Sequence, residues 1–464
     1  MSDYPTSEYP SSVTPPPLSG PLPSPPARGG RRVTRRQFVA GAAGTAGAGA
    51  MGLAVSRHSW ASPAKPKAVA PAATGSGAKG GGILVLVGLF GGNDGLNTVI
   101  PYQDSAYLSL RPHLGYQPNE VLALSDGLAL HPNLTGLKAL WDAKQLAIVR
   151  GVGYPTPNRS HFRSMDIWQS AVPDSQEITG WIGRWLDVTG TDPLRALSVG
   201  PTIPRGLAGA KTSGSAVPLG ALRLPGGPEV ASGFTAIEKP FSGESALAAR
   251  AAQVGTDLLT VQKTLAQALS AVPASSGPGG ASTNLETAPP TTVPGGQGAG
   301  QGKARYATGL SAQLDLVSRI IKAGVPTRVY SVTLGGFDNH AAEKDSHARL
   351  LAELDQGISG FVQTMAAAPK APPVVVMTYS EFGRRVAENA SAGTDHGTAS
   401  PLFVAGTSVK GGFYGDEPSL TDLDQGDLKF TTDFRSVYAT VLEHVLGIDP
   451  KLSLPKSFPS LGFV

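Results

Sequence analysis

The sequence predicts an α/β fold: a mainly parallel sheet covered by helices on both faces, with a small insertion or cap. Short uninterrupted apolar runs occur at 83–90, 146–150, 328–334, 374–379 and 401–405. Helical patterns lie between them, and polar clusters sit directly at the ends of several runs. Strands buried on both faces read as continuous apolar runs rather than as an alternation. Their interleaving with amphipathic helices is the pattern of crossover connections.

Taken in order, residues 1–30 are rich in Pro and Ser and are expected to be disordered. Thr34-Arg35-Arg36-Gln37-Phe38-Val39 then leads into a weakly apolar Ala/Gly run and Ser59-Trp60-Ala61. A basic start, an apolar middle and small residues at a cleavage point make a signal peptide over 1–61, and the paired arginines resemble a twin-arginine export signal. A membrane anchor needs about 20 strongly apolar residues, which this run lacks, so no stable anchor is expected after cleavage. The expectation is an exported, extracytoplasmic protein whose first partner is the twin-arginine translocation machinery. Residues 62–80 read as a linker and 81–464 as the α/β domain, interrupted by a low-complexity loop at 272–303. Within it, 180–245 is rich in Gly and Pro and lacks the strand–helix alternation, so it reads as an insertion or cap.

The helices follow from periodicity. Leu350, Leu351, Leu354, Ile358, Phe361, Val362 and Met365 share one face of a helix over 348–367. Further helices are expected over 160–170, 246–269, 304–323 and 433–446, the last capped by Thr432 or Asp433.

Composition removes several function classes. The chain has no cysteine, which excludes disulfides, thiolate metal sites, a cysteine nucleophile and a lipoprotein anchor. Six arginines within residues 1–61, set against Asp3 and Glu8, account for the whole formal charge of +4. Beyond residue 61 acid and base balance, so the basic pI does not indicate nucleic acid.

The chemistry lies at strand ends. Asp94 follows the first apolar run, flanked by Asn93 and Asn97. Asp338 and His340 follow the run at 328–334, with His347 seven residues on. Glu381 and Arg384 follow the run at 374–379, and Asp395 and His396 precede the one at 401–405. Ligands of open α/β sheets bind beyond the carboxyl ends of the strands. Carboxylates and imidazoles gathered there without sulfur suit one or two divalent ions such as Zn, Mn, Mg or Ca. Asp94, Asp338, His340, Glu381 and His396 are therefore the candidate ligands, and Asn93, Asn97, His161, His347, Asp395 and Arg384 stand close enough to join them. Each also has a plainer role: Gly91 to Gly95 as a tight turn, Glu381 with Arg384 as a surface ion pair, Asp395-His396 as a cap.

The motifs Gly91-Gly92-Asn93-Asp94-Gly95-Leu96-Asn97, Asn158-Arg159-Ser160-His161-Phe162, Phe337-Asp338-Asn339-His340, Ser380-Glu381-Phe382-Gly383-Arg384, Asp395-His396-Gly397-Thr398 and Thr432-Asp433-Phe434-Arg435 resemble the bacterial family called domain of unknown function fifteen-oh-one. That family is similar to the alkaline phosphatase and sulfatase superfamily. The resemblance implies an alkaline-phosphatase-like fold, with an Asp after the first strand, a nucleophile at a helix start after the second, and Asp/His ligands after later strands. A formylglycine sulfatase is excluded, because Pro155 stands where the Cys or Ser before Pro157-Asn158-Arg159 would be needed. Ser160 and Thr156 remain as candidate nucleophiles and Arg159 as a contact for an anionic group, although Ser160 also suits a helix N-cap. Two readings follow. One is an exported metal-dependent hydrolase of phosphate or sulfate esters, acting on a small anionic substrate. The other is an inactive hydrolase-like fold that holds a structural metal or serves an extracytoplasmic protein partner.

Overall fold

The computed structural model describes residues 80–220, 244–272 and 309–464. The expected signal peptide, and almost all of the linker and of the low-complexity loop, lie outside the described residues. In chain order the strands are β1 Ile83–Phe90, β2 Val99–Ile100, β3 Leu122–Ala123, β4 Ala129–Leu130, β5 Leu146–Gly153, β6 Ala196–Val199, β7 Ser215–Val217, β8 Val329–Gly335, β9 Val374–Ser380, β10 Ser400–Ala405, β11 Gly412–Tyr414, β12 Leu423–Asp424, β13 Asp427–Leu428 and β14 Thr432–Asp433. The helices are α1 Gly95–Thr98, α2 Ser105–Leu110, α3 Thr135–Asp142, α4 His161–Ser170, α5 Trp181–Thr189, α6 Ala246–Ala271, α7 Leu310–Lys322, α8 Glu343–Ala366 and α9 Phe434–Val441.

One nine-stranded sheet organises the molecule, in the order β11-β5-β10-β9-β1-β8-β6-β7, with β14 also pairing β5. β1 sits centrally and pairs β8 and β9 in parallel. Its residues alternate between two cores because side chains of a strand point to opposite faces. Ile83, Val85, Val87 and Leu89 pack with Leu137, Leu314, Val317, Leu354 and Ile358 of α3, α7 and α8. Leu84 and Leu86 pack with Ile167, Trp168, Trp181, Trp185 and Val437 of α4, α5 and α9. Both faces are covered, which is why the strand reads as an unbroken apolar run.

The exception to the parallel order decides the site. β10 runs antiparallel to both β5 and β9. The first residue of an antiparallel strand lies at the rim where its neighbours end. Asp395 and His396, which precede β10, are therefore delivered to the carboxyl ends of β1, β8 and β9. The segment expected as a cap also differs from that reading where it is described. Trp181–Thr189 forms α5, and β6 and β7 extend the main sheet beside β8. The physical reason is burial: Ala196, Leu197, Val199 and Val217 are all interior, a continuous apolar edge too short for its periodicity to stand out. Residues 221–243 lie outside the described residues.

Helix ends follow local chemistry. Asp433 caps α9 by accepting from Arg435 N at 2.9 Å. A helix of this kind at the sheet's far face buries Phe434, Val437, Tyr438 and Val441, each such side chain contributing roughly 1.5–3 kcal/mol.

Candidate functional site

The rim begins at the turn after β1. Gly91 has φ +115° and Gly92 φ +77°. A Cβ on Gly91 would stand 2.4 Å from Asp338 N, and one on Gly92 2.5 Å from the Phe382 ring. Only glycine lets the three strand-end loops come this close. Arg384 then ties them together. Its fully buried guanidinium donates to Gly92 O at 2.7 Å, Thr394 O at 2.8 Å, Phe337 O at 3.0 Å and the Asp338 carboxylate at 2.9 Å, and to Gly91 O. The surface ion pair expected from sequence is thus an internal clamp between Arg384 and Asp338, and Glu381 is not its partner.

Around this clamp, His161, Asp338 and His396 each present one ligand atom, all within 4.8 Å of one another. His161 Nε2 lies 3.5 Å and His396 Nε2 3.2 Å from Asp338 Oδ1. His340 adds a fourth group, with Nε2 2.9 Å from Asp338 Oδ1 and 3.1 Å from His396 Nε2. Phe382, itself buried, underlies the His161 and His396 rings at centroid distances of 4.9 and 4.7 Å.

The other ring nitrogen of each histidine faces an acceptor. His161 Nδ1 is 2.9 Å from Glu381 Oε1, His340 Nδ1 3.2 Å from Asp395 Oδ1, and His396 Nδ1 2.8 Å from the Arg159 carbonyl. A carbonyl or carboxylate cannot donate, so neutral His161 and His396, whose nearer acceptor is at Nδ1, carry their proton there and aim an Nε2 lone pair at the cluster. His340 stands between two carboxylates, Asp338 at 2.9 Å and Asp395 at 3.2 Å. The His161 and His396 lone pairs and a carboxylate oxygen facing one another repel unless a cation lies among them, a need that the Arg384 guanidinium, 2.9 Å from Asp338 Oδ1, meets in part. His161 Nε2 is buried and has no hydrogen-bond partner, as expected of an atom waiting for such an ion. The Nε2 to Asp338 Oδ1 separations are near the roughly 3.3 Å edge of a tetrahedron at Zn–N distances of about 2.0–2.1 Å. The three residues whose ligand atoms all lie within 4.8 Å of one another are His161, Asp338 and His396, with His340 beside them. Histidines tethered through Nδ1 to carboxylate or carbonyl are the usual outer arrangement of metal-binding imidazoles. The donor set fits a divalent ion.

Glu381 stands one step back. Its Oε1 accepts from Gly91 N at 2.7 Å as well as from His161. Its backbone carbonyl is held by Trp168 Nε1 at 2.9 Å and by Ser164, both on α4. This fixes His161, the first residue of α4, against the rim. Electrostatics agree: the hydrogen bond that His161 donates to Glu381 holds its imidazole pKa above the ordinary value. Burial alone would raise the Asp338 carboxyl, but the hydrogen bond and charge of Arg384 lead the influences that outweigh it and leave it below the usual range.

Asp94 is elsewhere. It is buried, and Arg111 Nη1 lies 2.5 Å from its Oδ2. Its Oδ1 finds no ordinary donor. Glu343, also buried, lies beside it; desolvation and the Asp94 charge push the Glu343 carboxyl up to about 8. A proton on Glu343 relieves the repulsion between the two buried carboxyls. His347 joins this interior group through Asn93 Oδ1 at 3.0 Å, and burial lowers it to about 4. Asn93 N donates to Ser380 Oγ at 2.9 Å, and Asn97 is bonded to Leu114 O and to the Tyr107 hydroxyl. The structure therefore brings Asp338, His340, His396 and His161 together, sets Glu381, Asp395 and Arg384 around them, and gathers Asp94, Asn93, Asn97 and His347 into a separate buried cluster.

The loop before α4 carries the remaining candidates. Ser160 is the exposed N-cap residue of α4, and its side chain makes no capping bond. Thr156, at φ +54°, donates to Pro155 O at 2.6 Å. The Arg159 guanidinium pairs with Asp427. Sequence reasoning missed Arg111, Glu343, Arg385 and Asp427. Glu343 sits four residues before His347 on one helix face, a spacing that could have found it; no local pattern marks the others.

An α/β protein with a strand-end cluster of three imidazoles and a carboxylate is the class that fold and site define. Residues 290–456 match the model of the family described as "Protein of unknown function (DUF1501)", the family that the motifs resemble. No curated protein matches the chain. Solved structures of low identity are similar to it in part. The C-terminal periplasmic domain of EptC from Escherichia coli in complex with Zn is 12% identical, covering 70% of this chain and 74% of that one at a TM-score of 0.30. The Streptococcus pyogenes phosphoglycerol transferase GacH in complex with sn-glycerol-1-phosphate is 9% identical over 82% and 81%, at 0.34. Alkaline phosphatase from the Antarctic bacterium TAB5 is 11% identical over 71% and 92%, at 0.29.

Proposed function

We propose that this chain is an exported hydrolase of phosphate or sulfate esters that works with a divalent ion held by His161, Asp338, His340 and His396. The observation that carries the reading is the convergence of three imidazole Nε2 atoms on Asp338 Oδ1, with every Nδ1 beside an acceptor. The composition of that set, three nitrogens and one carboxylate oxygen with no sulfur, favours zinc. When bound, such an ion polarises a phosphoryl or sulfuryl oxygen and eases deprotonation of a neighbouring hydroxyl or water.

The residues supply the rest. Glu381, Asp395 and the Arg159 carbonyl stand beside the three Nδ1 atoms and keep the rings from turning. Arg384 orients Asp338. The N-terminus of α4 favours negative charge beside His161, so an ester's oxyanion is at home there. The exposed Ser160 hydroxyl, free of any capping bond, is the chain's own candidate nucleophile, and water is the alternative. Hydrolysis consumes one water: its oxygen ends on phosphorus or sulfur, and its protons go to the released acid and alcohol. Export is part of the proposal through the paired arginines at 35 and 36. No helix among the described residues is long and apolar enough to cross a membrane.

The test is metal analysis of the purified protein together with a panel of phosphate mono- and diesters and sulfate esters, assayed with Zn, Mn and Ca. Turnover that a chelator abolishes and zinc restores supports the hydrolase. Stoichiometric zinc without turnover of any ester would favour the binding-protein reading, which the Thr156 hydroxyl, turned onto its own neighbour's carbonyl, also suits. Protein that takes up no divalent ion sinks both.

A further inference from the structure

Two guanidiniums stand at the edge of the histidine cluster and share a single carboxylate. Asp427, on β13, is 1% exposed in its side chain, yet Arg159 and Arg385, at 39% and 40%, both reach it. Arg159 pairs with Oδ2, and Arg385 Nε lies 3.8 Å from Oδ1, an oxygen that is buried and otherwise has no partner. Among the described residues the Arg385 guanidinium makes no hydrogen bond within ordinary range.

Their position is set by the cluster. The Arg159 carbonyl receives His396 Nδ1 at 2.8 Å, and Arg385 N donates to the carbonyl of Asp395 at 3.0 Å. Arg385 O is held by Arg111 Nη2 at 2.8 Å. The hairpin of β12 and β13, turning at Gln425 and Gly426 with φ +53° and +87°, is fastened to the same loop by the Thr398 hydroxyl on Leu428 O. Two like-charged forks share the Asp427 carboxylate; Arg385 also feels the exposed Asp395 carboxylate, which His340 engages at 3.2 Å. Solvated surface arginines would spread apart; these are fixed by a buried anion and remain partly exposed. An oxyanion completes such an arrangement, since planar guanidinium forks match its geometry and charge.

We propose that Arg159 and Arg385 form a subsite for a second, non-reacting oxyanion of the substrate, so that the preferred ester carries two anionic groups. This rests on the hydrolase reading for which ester is turned over, whereas anion binding at the arginines does not depend on it. The two can fail separately. For turnover, the zinc-loaded full chain is assayed with phenyl phosphate and with a phenyl phosphate bearing a ring carboxylate. The expected kcat/KM preference for the doubly anionic ester is about 10-fold, the scale of a charged hydrogen bond. It falls towards parity in Arg385→Gln and Arg159→Gln and rises in Asp427→Asn, which removes the competing internal anion. A preference that is absent, or unchanged in Arg385→Gln, overturns the subsite, as does an equal loss with both esters. For binding, inorganic sulfate is titrated calorimetrically into the full chain. The Arg385→Gln variant is expected to weaken one sulfate site about 10-fold, and unchanged sulfate affinity overturns the proposal even if no ester is hydrolysed.

Discussion

The exposed rim cluster and the buried Asp94 cluster are built from the same residue types, carboxylate, imidazole and guanidinium, and they behave in opposite ways. At the rim, Asp338 and His340 are nearly half exposed, and three imidazole Nε2 atoms gather around Asp338 Oδ1, which the Arg384 guanidinium holds from the interior. In the interior, Asp94, Arg111, Glu343 and His347 have almost no exposure, and the charges are answered within the protein: Asp94 pairs with Arg111, and burial beside Asp94 favours the neutral form of Glu343. Unanswered polar atoms in the open invite a ligand; answered ones in the interior hold loops together. The difference teaches that a motif residue such as Asp94 can be obligatory for the site without touching what binds there. Its ion pair with Arg111 positions the turn after β1, and Arg111 also bonds the Val386 and Arg385 carbonyls.

The comparison breaks or sharpens under four changes. The largest effect is expected from His396→Ala: loss of stoichiometric zinc and of all metal-dependent turnover, with a circular dichroism spectrum like the wild type, because this side chain lies at the partly exposed rim and pairs with no buried charge. Next is Asp94→Ala, which leaves Arg111 buried and unpaired and should cost about 3–5 kcal/mol in urea denaturation. The protein that remains folded should still bind zinc; if zinc is lost and stability is unchanged, the division into two clusters is mistaken. Third, Glu381→Gln removes the carboxylate behind His161 and should weaken zinc about 10–100-fold in a competition titration.

The smallest effect is in the pH profile. The Glu343 carboxyl titrates at about 8 in the folded protein against an ordinary 4.5. Between those values the folded state keeps a proton that the unfolded chain has released. Its contribution to stability is therefore full below about 4.5 and is lost as pH rises towards 8. Asp94 has the opposite sign: burial raises it, but Arg111 brings it below 3.8, so its share is lost only in acid. Glu343→Gln, which cannot titrate, should flatten the fall in melting temperature between pH 5 and 8. A slope identical to wild type would mean that Glu343 is ionised.

The strands at the centre were legible because each is a run of apolar residues longer than any loop would tolerate. Ile83–Phe90, Val374–Ser380 and Ser400–Ala405 lie within a residue of where the pattern put them. Glu343–Ala366 begins five residues before the helix expected over 348–367, because its start buries Glu343 and His347, polar residues that no hydrophobic period can reveal. Strand β6 was missed since four residues are too few to show a pattern.

What the sequence determined by itself is which segments become strands and helices and that Asp338, His340, Glu381 and His396 lie at strand ends, since both follow from local periodicity and turn chemistry. Only the tertiary structure decided which of these residues face one another. The antiparallel direction of β10 carries His396 to the rim, α4 carries His161 there from far along the chain, and the Arg111 pair turns Asp94 inward. Strand direction and partner choice are set by long-range burial and by the pairing of buried charges, and neither leaves a mark on the residues immediately around them.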